Sequence, residues 1–410
     1  MRSRWLKATT VVAVLAVAAG CGSAKSTGGK DEAVPGVTDK EITLGVLAPL
    51  TGTFGALTKP VVAGLQLYWD EKNADGGVCG RKVKLLTQDN QYNSQIAVSQ
   101  YQDIKGKVLA MAGVPGTPIA TAVSPLAKEG QILTMVPTQA SNLLDNPYIV
   151  MPMTMYEQEA LNGFSFLMKE KGLAKGDKVG VVGFVGDYGD AVLRGVKFAA
   201  EKEGMEVVEQ RINPTDADMS SQASAFKSAG VKHVFMATAG SQTASLASVA
   251  QSSGYDITIM AMYPAFDAGA LATTAKDALV KSTYVASSVA PFGSDNPTVT
   301  KVREAFTKAY PDTPPALSVN TGYGSSMLMA TLLEKACAGD KALTRKSLND
   351  AMEGLGSFDS DGVLVPLDFS DRTASPSDQS FILKVDAGVP GGLVATGDPA
   401  ASDLASSYKE

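Results

Sequence analysis

Strand and helix patterns alternate along the chain from Glu41 onward, and this alternation restricts the fold more than any other feature of the sequence. Apolar runs such as Ile42–Leu47 and Lys82–Thr87 have the length and composition of strands. Stretches with helical spacing of apolar residues, such as Pro60–Asn73 and Ser94–Lys105, follow them. This order predicts an α/β fold in which parallel sheets are flanked by helices on both faces.

The alternation restarts with a helix at Tyr156–Lys171 and a strand at Val179–Phe184. In each half, the helix after the first strand carries an internal glycine, Gly64 or Gly195. A glycine inside a helix costs about 1 kcal/mol relative to alanine, so both glycines indicate close packing, which we expect to be on a sheet. The repeated pattern predicts two lobes of related architecture.

Two lobes that share several chain crossings should form a hinge with a cleft. We predict a lipoprotein signal peptide in residues 1–21, a flexible tether in 22–40, a first lobe of 41–156 and 287–370, a second lobe of 157–286 and 371–388, and a loosely ordered tail in 389–410.

The N-terminus has the features of an export signal. Arg2, Arg4 and Lys7 precede the apolar run Val11–Ala19, which is shorter than the roughly 20 residues that a membrane span needs. The small residues before Cys21 resemble the lipobox of bacterial lipoproteins, in which the cysteine is lipidated. The alternative is an ordinary cleaved signal. We therefore expect an exported protein, lipid-anchored on the outer face of the cytoplasmic membrane.

The composition is that of a globular protein, with 45% hydrophobic and 19% charged residues and a net charge of -6. This mild acidity argues against a nucleic-acid partner, which requires a basic face. Apart from Cys21, the chain contains Cys79 and Cys337. In an exported protein such a pair suggests a disulfide, and two free thiols are the alternative.

The sequence lacks the usual arrangements of catalytic residues. Its single histidine, His233, stands at the entry of an apolar strand, where a structural role is expected. No G-x-S-x-G, H-E-x-x-H or Walker A motif occurs, and carboxylate pairs such as Asp359 and Asp361 fall in polar loops. We predict no catalytic residue, no metal and no cofactor.

The segment Val179–Gly195 superficially resembles a dinucleotide-binding turn. Its glycines are spaced G-x-x-G-x-x-G instead of G-x-G-x-x-G, and Asp187 and Asp190 would repel a phosphate. The same strand–loop–helix geometry suits a smaller ligand, because helix N-termini at strand ends present free N–H groups. A carboxylate can be bound there by N–H groups and hydroxyls without an arginine.

The chain resembles the solute-binding lipoproteins of branched-chain amino acid ABC importers, over about Glu41 to Val385. The motifs that carry the resemblance are ITLGVLAPLTGTFG, GLQLYWDEKNADGGVCGRKVKL, AMAGVPGTPIATAVSPLAKEGQIL, MVPTQASN, VGVVGFVGDYGDAVLRGVK and TGYGSSMLMATLLEKA. The resemblance implies a type I periplasmic-binding fold, a non-enzymatic monomer that binds a small organic solute, and membrane permease subunits as partners. It also implies that Cys79 and Cys337 form a disulfide in the first lobe.

The resemblance also implies a set of ligand-binding residues, most of them at the ends of strands. These are Phe54, Gly116, Thr117, Thr138, Ser141, Tyr188, Gly240, Tyr263 and Tyr323. The sequence departs from the family where an acid pairs with the ligand ammonium, because Tyr263 or a neighbour occupies that position and Asp267 follows later. An aliphatic or aromatic carboxylate, or an amide, therefore fits as well as an amino acid.

Two other functions are compatible with these patterns. A ligand sensor needs the same fold and the same ligand-dependent closure as a transport protein. An exported α/β enzyme would need a nucleophile and base in the cleft, which the lone His233 disfavours.

Overall fold

Two separate sheets organise the chain in the computed structural model, which describes residues 33–339 and 341–409. The first sheet is parallel and consists of β1 (Glu41–Ala48), β2 (Lys82–Asp89), β3 (Met111–Gly113), β4 (Thr134–Met135) and β5 (Ile149–Val150). Their spatial order is β2-β1-β3-β4-β5.

The second sheet is mixed. Its strands are β6 (Lys178–Phe184), β7 (Glu206–Ile212), β8 (His233–Ala237), β9 (Thr258–Met262), β10 (Thr283–Ser287), β13 (Phe381–Val385) and β14 (Leu393–Ala395). The order is β14-β13-β10-β9-β8-β6-β7, and the last two strands in sequence pair antiparallel. A short antiparallel ribbon, β11 (Ser357–Phe358) with β12 (Leu367–Asp368), lies apart from both sheets.

Each sheet packs against its own set of helices, and a sheet with its helices forms one lobe. The first lobe contains α1 (Gly55–Ala74), α2 (Ser94–Ile104), α3 (Thr117–Gly130), α9 (Pro297–Ala309), α10 (Leu317–Ala336) and α11 (Arg345–Glu353). The second lobe contains α4 (Tyr156–Lys171), α5 (Asp187–Glu203), α6 (Ser220–Ala229), α7 (Gly240–Ser252), α8 (Lys276–Ser282) and α12 (Asp403–Ser407).

Local sequence signals set many helix ends. The side chain of Asn93 accepts hydrogen bonds from two N–H groups of the first turn of α2, and Asn296 does the same for α9. Thr344 begins α11 with a reciprocal capping box. At the other end, Gly172 and Gly204 stop α4 and α5 in the left-handed conformation that glycine adopts without strain.

The internal glycines of α1 and α5 serve helix–helix packing instead of the predicted packing on a sheet. A Cβ atom at Gly64 would overlap the backbone carbonyl of Val319 in α10. A Cβ atom at Gly195 would overlap the backbone of Glu157 in α4. Each glycine thus allows two helix backbones to approach within each lobe.

Hydrogen bonds join the segments that pass between the lobes. The chain crosses at residues 151–155, 288–296 and 369–380. The Thr154 hydroxyl donates to the Gln379 carbonyl at 2.6 Å, and the Val365 N–H donates to the Ser288 carbonyl at 2.9 Å. The first bond joins the first and third crossings, and the second bond joins the middle crossing to the residue pair just before β12.

The two segments that the sequence predicts to be flexible, 22–40 and 389–410, are ordered against the folded part wherever the structure describes them. Residues 34–40 lie along β1, with the Thr43 N–H donating to the Gly36 carbonyl at 2.7 Å, because Val34 and Val37 pack against the core. The predicted signal peptide, Cys21 and most of the predicted tether lie outside the described residues.

The C-terminal segment 389–410, predicted to be loosely ordered, forms β14 and α12 instead. Leu404 and Ala405 of α12 are buried, and the Ser402 N–H donates to the side-chain oxygen of Asn162 in α4 at 2.8 Å. The apolar residues were too few for the composition to reveal this contact.

Cys79 and Cys337 form a disulfide that joins the end of α10 to the loop after α1, with their Cα atoms 6.5 Å apart. Since a bridge across a long loop restricts the unfolded chain, it contributes a few kcal/mol to stability in the chain-entropy view. None of the helices within residues 33–339 and 341–409 is long and apolar enough to cross a membrane.

The α1–α10 contact predicts the effect of Gly64→Ala. The added methyl group meets backbone atoms that cannot rotate away, so we expect the free energy of unfolding to fall by about 1–3 kcal/mol in urea titrations. Gly106→Ala is the matched control, because that position has open space around it and should change little. Equal stability of both variants would contradict the packing role of Gly64.

Candidate functional site

A cavity lies between the lobes, where the carboxyl ends of strands from both sheets meet. Its residues follow β1, β2, β3, β4, β6 and β9, as expected for ligand sites of open α/β sheets. It is narrow: the volume that the centre of a water molecule can occupy is about 30 Å³. The lining residues are Pro49, Phe54, Leu57, Thr58, Val61, Tyr92, Pro115, Gly116, Thr117, Pro137, Thr138, Tyr156, Tyr188, Tyr263 and Pro264.

Hydroxyl groups form a chain at one end of this cavity. The side-chain oxygens of Thr117 and Thr138 lie 2.7 Å apart, and the Tyr156 hydroxyl is 3.3 Å from that of Thr138. All three residues are buried. Thr117 begins α3, whose dipole gives this end of the cavity a partial positive charge.

The turn before α3 requires glycine. Gly116 has a φ of +102°, in the region that side chains disfavour, and a Cβ atom there would come within 3.0 Å of the Tyr92 ring. The glycine therefore lets Tyr92 pack against the start of α3.

Aromatic rings from both lobes form the walls. The Phe54 ring centroid lies 4.6 Å from that of Tyr92 and 6.1 Å from that of Phe184 in the second lobe. The Tyr156 and Tyr188 centroids are 4.6 Å apart. The walls are therefore apolar over most of their area, with phenol groups at defined points.

Burial raises the pKa of Tyr92, Tyr156, Tyr188 and Tyr263 above the usual tyrosine value. The tyrosines therefore remain neutral O–H donors at physiological pH. The Tyr188 hydroxyl donates to the carbonyl of Thr238 at 3.3 Å.

The cavity lining contains no Asp, Glu, Lys, Arg or His side chain among the residues that the structure describes. Asp267 lines a neighbouring cavity, and its carboxylate accepts a hydrogen bond from the N–H of Gly269 at 2.9 Å. A charged ligand group in the main cavity would thus meet dipoles and hydroxyls instead of an opposite charge.

A buried acid stands close behind the tyrosines. Glu159 is buried in α4, and one carboxyl oxygen accepts a hydrogen bond from the Ser288 N–H at 2.7 Å, while the other has no partner among the described residues. Burial raises the pKa of Glu159 to about 8, against the opposing effect of the Ser288 hydrogen bonds. The group is therefore largely protonated at neutral pH.

The cleft is closed at its rim by hydrogen bonds between the lobes. The hydroxyl of Thr121 in α3 donates to the Asp187 carboxylate of α5 at 2.8 Å, and the Asn142 amide donates to the same oxygen at 3.2 Å. These contacts define a closed arrangement of the two lobes.

Six of the predicted binding residues line the cavity: Phe54, Gly116, Thr117, Thr138, Tyr188 and Tyr263. The structure places the other three elsewhere. The Ser141 hydroxyl donates to Glu157 and lies beside Arg194, and Gly240 packs against the backbone at Asp267. The Tyr323 hydroxyl donates to Glu71 at 2.8 Å, because its position on α10 faces α1.

Sequence reasoning missed Tyr92 and Tyr156 as cavity residues. Tyr92 follows the carboxyl end of β2, so the rule that ligands bind beyond strand ends could have found it. Tyr156 starts α4 directly after the first crossing, and no local pattern distinguishes it from a core residue. His233 begins β8, where it is buried and where burial lowers its pKa.

Two hinged α/β lobes around a cleft lined by strand ends define the class of two-lobed ligand-binding proteins. The profile of the periplasmic binding protein family matches residues 41–390, and the chain belongs to this family. The predicted type I periplasmic-binding fold and the resemblance to Leu/Ile/Val-binding proteins are confirmed.

Solved structures cover nearly the whole chain. A fatty acid ABC transporter substrate-binding protein from Thermomonospora curvata is 38% identical over 92% of this chain and 96% of its own, with a TM-score of 0.89. A branched chain amino acid ABC transporter protein from Thermus thermophilus with bound valine is 20% identical over 90% of this chain and 98% of its own, with a TM-score of 0.80, which shows the shared fold.

A curated relative matches a shorter region. The Leu/Ile/Val-binding protein homolog 3 of Brucella melitensis is 30% identical over 203 residues, which is 48% of this chain and 54% of the relative. The chain thus spans about half the length of the curated relatives that it matches.

Glu159 predicts a pH dependence of stability. Its pKa is about 8 in the folded protein and near 4.5 in the unfolded protein. Between these two pH values the carboxyl group is protonated in the folded state and ionised in the unfolded state. Stability is therefore lost as pH rises through this window, by an amount on the order of a few kcal/mol.

Glu159→Gln should flatten this decline, because the amide stays neutral and keeps an acceptor for Ser288. The measurement is urea unfolding between pH 5 and pH 8. Glu170→Gln on the surface of α4 is the control and should keep the wild-type profile. A decline of the same size in Glu159→Gln would show that another group causes it.

Proposed function

We propose that the protein is the extracytoplasmic solute-binding component of an ABC importer, and that it captures a monocarboxylate with an aliphatic body. The observation that carries the proposal is an apolar cavity with hydroxyls near the start of α3 and, among the residues that the structure describes, no charged side chain in its lining. The name of the Thermomonospora curvata relative, a fatty acid binder, supports the same class of ligand.

The carboxylate belongs at the α3 end of the cavity. The hydroxyls of Tyr156, Thr138 and Thr117 form a chain of hydrogen bonds, so when Tyr156 donates to Thr138 and Thr138 donates to Thr117, the Thr117 proton can point toward a ligand oxygen. The dipole of α3 adds a favourable potential of the kind that stabilises anions. The aliphatic body then lies among Phe54, Leu57 and Tyr188.

A branched-chain amino acid is the second candidate, and the names of the curated relatives favour it. Its ammonium group would need an acceptor that replaces water. Within the described part of the chain the cavity lining offers no carboxylate, and burying an unpaired charge is costly. The site therefore favours a ligand without an ammonium group.

Ligand binding is coupled to lobe closure in this proposal. A solute that contacts Thr117 in the first lobe and Tyr188 in the second stabilises the closed form relative to an open one. The closed form then delivers the unmodified solute to a membrane permease. A sensor would use the same closure with a different partner.

Attachment at Cys21 completes the proposed arrangement. A lipid on this cysteine would hold the protein at the outer face of the cytoplasmic membrane, with residues 22–32 between the anchor and the folded part. We propose that the anchored protein works with its permease as a monomer.

The uncharged lining of the cavity, as the structure describes it, predicts a preference between two matched ligands. Leucine and 4-methylpentanoate share a carboxylate and a branched aliphatic chain and differ at the ammonium group. We expect 4-methylpentanoate to bind at least tenfold more tightly, because no acid in the lining pairs with the ammonium. Isothermal titration of both ligands at pH 7 measures this difference, and tighter binding of leucine would favour the amino-acid candidate.

The hydroxyl chain predicts the effect of Thr117→Val. This substitution keeps the shape of the side chain and removes the hydroxyl, so we expect roughly a tenfold or greater loss of affinity for a carboxylate. The ligand-induced rise in melting temperature should shrink accordingly. Thr307→Val in the outer helix α9 is the control and should leave affinity unchanged. Unaltered binding by Thr117→Val would show that the carboxylate does not bind at the start of α3.

A further inference from the structure

We propose that a second cavity, beside the main one, receives the distal end of a long aliphatic ligand, and that Leu57 and Tyr263 form the constriction between the two cavities. This inference rests on the proposed function, since it concerns the chain length of the same ligand. It assigns a further subsite to the cleft and names the residues that select for length.

The second cavity lies within the cleft on the far side of Tyr263. Its volume, by the same measure, is about 20 Å³. Ala56 and Leu317 contribute from the first lobe, and Phe266 and Leu393 contribute from the second. Closure of the lobes therefore shapes this cavity together with the main one.

Leu57 and Tyr263 each line both cavities, so they stand between them. Tyr263 is held in place, because the hydroxyl of Thr321 in α10 donates to its phenol oxygen at 3.0 Å. Leu57 is half-buried on α1 and has no such tether. The constriction thus pairs a fixed ring with a flexible aliphatic side chain that can change rotamer.

The second cavity has the chemistry of a site for methylene groups. Apolar side chains make up most of its lining. Its one carboxylate, Asp267, is turned toward the backbone of Gly269 and caps the short helix Ala268–Ala272. Ala268 and Ala316 on the rim are partly exposed, so the far end of a long ligand can approach solvent.

Chain length is therefore expected to govern affinity in a stepwise manner. Each methylene group that becomes buried should tighten binding by about fourfold, from the transfer free energy of a CH₂ group. Short acids fill only the main cavity. Longer acids gain further affinity only if their chains pass Leu57 into the second cavity.

The test is a titration of the full chain with straight-chain monocarboxylates from butanoate to dodecanoate, below their micelle concentrations. Wild-type protein should gain affinity beyond the length at which the main cavity is filled. Ala268→Phe fills the second cavity and should abolish this later gain, at least tenfold for the longest acids, while short acids bind as before. Ala272→Phe on the exposed side of the same short helix is the control and should keep the wild-type profile.

Leu57→Ala provides an independent variant if Ala268→Phe does not fold. It widens the constriction, so the ratio of long-acid to short-acid affinity should rise severalfold. If short acids bind but the length profile is the same in wild type, Ala268→Phe and Leu57→Ala, the second cavity is not a subsite and the proposed function stands. If no monocarboxylate of any length binds, both proposals fail.

Discussion

The hydrogen-bonded chain of Thr117, Thr138 and Tyr156 hydroxyls is the contact on which the site depends. It joins the loops after β3 and β4 to the start of α4, directly after the chain crosses between lobes. Parallel strands bring these loops to one edge of the sheet, and the crossing brings Tyr156 beneath them. The polar end of the cavity is therefore built from the same residues that connect the first lobe to the hinge.

Burial keeps the titratable groups around the main cavity in their neutral forms. Glu159 is largely protonated at neutral pH, and the surrounding tyrosines keep their protons because burial raises the pKa of each. Dipoles of hydroxyl groups and of α3 remain as the polar features. In such a setting a ligand anion is stabilised by oriented donors, whereas a buried cation finds no charged partner among the described residues of the lining.

The sequence predicts the sheets and the strand-end residues better than the contacts between helices. Phe54, Thr117 and Tyr188 follow strands, so topology alone brings them to the cleft. Tyr323 lies in an equally suggestive motif, but the rotation of α10 turns it toward Glu71. Such a rotation depends on how α1 and α10 pack, which no local pattern records. The burial of α12 is likewise a tertiary effect, set by its contact with Asn162.

Hydrogen bonds at the rim of the cleft reduce the free energy that a ligand must supply for closure. Asp187 accepts hydrogen bonds from Thr121 and Asn142 across the opening, so part of the closing free energy comes from the protein itself. The Asn142 bond is exposed and the Thr121 bond is only partly buried, so both are individually weak. A ligand shifts the equilibrium only by its preference for the closed form, and an aliphatic chain gains most of that preference when both walls exclude water around it. Under the proposed function, the polar rim fixes the alignment of the lobes, and burial of the aliphatic chain of the ligand supplies the free energy that favours closure.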